Sequence, residues 1–148
     1  MRKTAWILTA LLFGTTAMAA DFAGTWKLNL EKSQNQDPKV ASETMTIEQT
    51  GPNSYRTTID VTFKSGEKRH LERNRIYDGK EHPAQGTGTS PNQSEICELN
   101  DRGERTIKIE QDGHVGAEIK SSVSADGRTL TNTRSGTSGQ DIQVFDRQ

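Results

Sequence analysis

The residues from position 20 onward predict an all-β fold, an antiparallel up-and-down barrel of about eight to nine strands. Three observations carry this. Short segments alternate apolar and polar residues with a period of two, the signature of half-buried strands. Turn signals separate them, including the Asp-Gly pairs at Asp78-Gly79, Asp112-Gly113 and Asp126-Gly127, which tolerate the positive φ of tight hairpins. Fourteen threonines lie beyond position 20, and a β-branched polar side chain suits a strand with one wet face.

The first 19 residues stand apart. Arg2 and Lys3 precede an apolar run from Trp6 to Phe13, and Ala17-Met18-Ala19 is a small-x-small cleavage pattern. The expectation is a signal peptide over residues 1–19, a barrel domain over 20–148, and export to the periplasm or the outside of the cell. From position 20 on, only 32 of 129 residues are apolar, so no run is long enough to span a membrane as a helix. That portion carries 17 Lys+Arg against 20 Asp+Glu, so its charge gives no reason to expect a nucleic-acid partner. Oligomeric state leaves no signal in the sequence.

The strands follow in order. Trp26, Leu28 and Leu30 alternate with Lys27 and Asn29. The polar stretch Glu31–Ala41, with Pro38, reads as a long loop. Met45 and Ile47 alternate with threonines. Tyr55, Thr57, Ile59, Val61 and Phe63 share a face opposite Arg56, Thr58, Asp60 and Thr62. Arg69, Arg73 and Arg75 share a face with Leu71 and Tyr77. Asp78–Ser94 reads as a second long loop, with Gly86-Thr87-Gly88-Thr89 as an irregular glycine-rich stretch. Glu95–Leu99 is a short strand. Ile107 and Ile109 alternate with Lys108. Val115, Ala117, Ile119 and Val123 continue the pattern, and Leu130, Ile142 and Val144 complete it. An open sheet of this size would expose two edges to association, whereas a closed barrel removes them.

The order of short motifs adds a resemblance. Gly24-Thr25-Trp26-Lys27-Leu28-Asn29 resembles the opening of a calycin barrel, where Gly-x-Trp marks lipocalins and fatty-acid-binding proteins. Lys32-Ser33, Tyr77-Asp78-Gly79-Lys80, Ser124 to Thr131 and Phe145 to Gln148 extend the likeness to small secreted bacterial lipocalin-like proteins. The resemblance implies a lipocalin-like barrel that binds a small apolar or amphipathic molecule in its interior or at its mouth. It also implies an arginine near the C-terminus stacked on Trp26, with Arg147 or Arg134 in that role. The alternative is a protein-interaction or cell-envelope module whose barrel is filled by its own side chains.

Strand parity gives the candidate ligand-binding residues: Trp26, Ile59, Val61, Phe63, Ile107, Ile109 and Ile119 facing inward, with Arg73 and Arg75 as grips for a carboxylate or phosphate. Whether the Arg69/Arg73/Arg75 face points in or out is open. His70, His82 and His114 lack metal-site spacing, so no metal or other cofactor is expected. Asp60, Glu95 and Glu98 could pair as acid and base only if they shared a face, and no catalytic residue is assigned. Cys97 reads as a small buried hydrophobe.

Overall fold

The computed structural model describes residues 21–148, so the signal peptide expected over residues 1–19 lies outside the described residues. Eleven antiparallel strands form one sheet: β1 (Gly24–Leu28), β2 (Val40–Gly51), β3 (Ser54–Phe63), β4 (Lys68–Ile76), β5 (Glu81–Pro83), β6 (Gln85–Gly86), β7 (Gln93–Leu99), β8 (Arg105–Gln111), β9 (His114–Val123), β10 (Thr129–Gly136) and β11 (Gly139–Arg147). There is no helix among the described residues. Nine strands have five residues or more. The two beyond the expected count, β5 and β6, are very short and lie inside the stretch that reads as loop. Gly86 belongs to β6, where it pairs with Arg73. Its φ is +135°, and a Cβ there would collide with the Glu72 carbonyl, so only glycine fits.

The sheet rolls up because β1 pairs with both β2 and β11, with Trp26 opposite Arg147 and Leu28 opposite Phe145. A single seam remains, between β4 and β7. Residues Glu81–Gly86 stitch it: β5 pairs with β7, and β6 pairs with β4. Beneath the stitch, Arg75 reaches across from β4 to Glu95 on β7. Its Nε and Nη2 donate to the two carboxylate oxygens at 2.8 and 3.0 Å. A bidentate ion pair thus stands where the backbone ladder is missing.

One end of the barrel is packed solid. Phe22, Trp26, Leu28, Met45, Ile47, Leu130 and Phe145 form its floor, with Trp26 and Phe145 fully buried. Below the floor, the Arg147 guanidinium lies 4.1 Å from the Trp26 ring centroid. It donates to the carbonyls of Asp21, Ala23 and Gly127. Gly24 is the glycine of Gly-x-Trp. Its φ is +134°, and a Cβ there would sit 2.6 Å from the Arg147 Nη1, so the clasp occupies the space a side chain would need.

Two expected positions are corrected. Val115 is 56% exposed, not inward, because a register shift at Ile109/Glu110 breaks the alternation before it. Leu30 is exposed because β1 ends at Leu28 and the chain turns away.

Candidate functional site

Above the floor lies a cavity of about 510 Å³, within the range of small-molecule sites. Two faces of the pleat decide what it presents. Odd-numbered residues of β2, β3, β4, β7, β8 and β9 point inward, as do even-numbered residues of β10. The apolar wall comes from Ile59 and Val61 on β3, Leu71 on β4, Ile107 and Ile109 on β8, and Ile119 on β9. Two expected lining residues lie elsewhere. Trp26 is sealed within the floor, enclosed by apolar neighbours, and does not line the cavity. Phe63 has inward parity but sits at the end of β3 outside the cavity, with the Arg69 guanidinium 5.1 Å from its ring centroid.

The arginine face of β4 points in, and Arg73 and Arg75 both line the cavity. Arg75 is committed to Glu95. Burial by itself would lower its pKa, but the hydrogen bonds and charge of Glu95 more than reverse this and raise it. Arg73 donates to the carbonyls of Glu72 and Thr87. Burial, followed by repulsion from Arg75, lowers its pKa.

The residue that sequence reasoning passed over is Arg105, at the start of β8. It shares the inward face of Ile107 and Ile109, so the period-two pattern already placed it inside. It is only 3% exposed, at the floor of the cavity. Its guanidinium carbon lies 3.9 Å from the Phe22 ring centroid, 4.0 Å from Tyr55 and 4.7 Å from Tyr77. The two tyrosine rings meet edge to face at 5.5 Å. Its buried Nε–H has no hydrogen-bond acceptor, and no carboxylate among the described residues lies within ion-pair distance. A buried cation with three aromatic faces and no anion stands ready for one.

The other candidate groups are not brought together. Asp60 faces outward and pairs with His70, and His82 pairs with Asp78. Glu98 is exposed, while Glu95 is inside. Among the described residues no three His, Cys, Asp or Glu side chains are grouped to hold a metal. Cys97 is buried beside Tyr77 and Ile107, and burial pushes its thiol up to about 12, so it stays protonated.

No protein-family model matches the chain, and no characterised protein sequence does. Solved structures match in fold. The wild-type fluorescent protein UnaG is 15% identical with a TM-score of 0.63, covering 86% of this chain and 97% of that one. Fatty-acid-binding protein 1 of Echinococcus granulosus is 14% identical with a TM-score of 0.61, covering 85% and 96%. The zebrafish ileal bile acid-binding protein, in complex with cholic acid, is 15% identical with a TM-score of 0.55, covering 86% and 98%. At these identities the likeness establishes a shared antiparallel β-barrel fold.

Proposed function

We propose that the barrel takes up one small amphipathic molecule, with an anionic head on Arg105 and an apolar body against the isoleucine wall. The observation that carries this is the unpaired, buried Arg105 guanidinium at the bottom of the cavity. Leaving such a group without an acceptor costs more than a neutral polar group would, and a carboxylate would supply the missing bonds. The lining holds Arg73, Arg75, Arg105 and Arg134 against Glu43 and Glu95, an excess of cations. Structural neighbours that bind fatty acids or a bile acid support the same reading. The leader at residues 1–19 supports an exported protein of the secreted lipocalin-like kind.

The test is a fluorescence titration with 11-(dansylamino)undecanoate and with its methyl ester. The free acid should bind at least about tenfold tighter, as a buried charge-assisted hydrogen bond implies. Arg105→Met should remove that preference. Equal binding of acid and ester to the wild type would overturn the reading.

A further inference from the structure

The cavity has a second polar region that the head group on Arg105 leaves unused. On β10 and β11, Asn132 pairs with Gln143, and Arg134 with Asp141 one step nearer the rim. Glu43 of β2 faces the same space. β1 ends at Leu28, and above that level the Asp141 charge acts on Glu43. Glu43 is 9% exposed, and its carboxyl makes no hydrogen bond to another group of the protein. The half-buried Asn132 and Gln143 amides also make no side-chain hydrogen bond within the protein, and both open onto the cavity. Burial, reinforced by Asp141, raises the pKa of Glu43.

Three polar groups without a partner in the protein thus stand along one wall, flanked by Ile59 and Val61 of β3 on one side and Ile119 of β9 on the other, a polar strip between apolar borders. A plain alkyl chain would leave the polar wall unsatisfied, and that carries a desolvation cost. We infer that Glu43, Asn132 and Gln143 form a specificity strip selecting a ligand with hydroxyl or carbonyl groups along one edge of an otherwise apolar body. This rests on the reading of Arg105 as the head-group site and narrows the ligand from any anionic amphiphile to one with polar groups along one edge.

The experiment compares two carboxylates with the same ring skeleton. Cholate carries three hydroxyls on one face and 5β-cholanate carries none. Each is titrated calorimetrically into the whole protein below its micellar concentration. Cholate should bind at least about tenfold tighter, the yield of two net hydrogen bonds. In Asn132→Leu/Gln143→Leu the preference should fall below about threefold, with cholanate affinity unchanged or higher. Asn132→Leu alone should give an intermediate preference, and the melting temperature of each variant confirms folding. Equal affinities in the wild type, or an undiminished preference in the double variant, would overturn the strip. So would carboxylate-dependent binding of the dansyl acid with neither steroid bound. Loss of the acid–ester preference is instead a failure of the Arg105 reading.

Discussion

The two sides of the barrel floor treat an arginine in opposite ways. Below it, Arg147 stacks on Trp26 and gives its N–H groups to three carbonyls. Above it, Arg105 stacks on three rings and its buried Nε–H has no acceptor. Both rely on aromatic faces, which stabilise a cation without satisfying its donors. The lower arginine is a structural tie between the chain's first and last strands. The upper one is an unfinished contact, and that difference separates a fold device from a recognition site.

The comparison can be broken most severely at the seam, where Arg75 is satisfied by Glu95 alone among carboxylates. Glu95→Ala would create a second unpaired interior arginine, this one without stacked rings. It should cost about 3–5 kcal/mol in denaturant unfolding, and Arg75→Met/Glu95→Leu should recover most of that loss. If the double variant is no better than the single, the pair is holding the seam by geometry rather than by charge.

Arg147→Ala should cost about 2 kcal/mol, from one stacking contact and several charged hydrogen bonds partly open to solvent. In a Trp26→Phe background the cost should be smaller, and a thermodynamic cycle measures the difference. Additive losses would show that the carbonyls, not the indole, hold the guanidinium.

Glu43 offers a pH test. Its carboxyl pKa is raised in the folded state, so the native chain holds that proton more tightly than the unfolded one. Stability should therefore decline as pH rises from the ordinary carboxylate range through the raised value, then level off. Glu43→Gln should abolish the decline and gain about 1 kcal/mol at neutral pH. Thermal melts across a pH series decide it.

The smallest expected effect is the one that sharpens the contrast. Arg105→Met should change stability by less than about 1 kcal/mol, because losing three ring contacts is offset by removing a buried unpaired cation. A loss as large as that of Arg147→Ala would place Arg105 with the structural ties.

Much of the fold was legible because its signals are local. Asp-Gly turns and alternation located most of the long strands, and the resemblance carried by Gly24-x-Trp26 implied the clasp, which Arg147 and not Arg134 makes. Gly86 escaped because a glycine between Gln85 and Thr87 carries no strand signal. Its place is dictated by the Glu72 carbonyl packed against it. Phe63 was placed in the cavity by parity alone, but parity gives the face and not the height along the barrel. Arg105, Glu43 and Asn132 were readable by the same parity, as neighbours of Ile107, Met45 and Leu130. They were passed over because an inward face was taken to be an apolar one.

The Arg147 clasp also bears on the order of events in folding. Every long ladder except β1–β11 joins strands that follow one another along the chain, apart from the stitched seam. The clasp bonds groups as far as 126 positions apart. Hairpins form early at small entropic cost, while ring closure must wait for the two ends to meet. Contacts made after the rate-limiting step slow unfolding without hastening folding. The clasp would then act as a kinetic lock: the finished ring opens slowly, and a molecule enclosed within it is guarded by that barrier as well as by its own affinity.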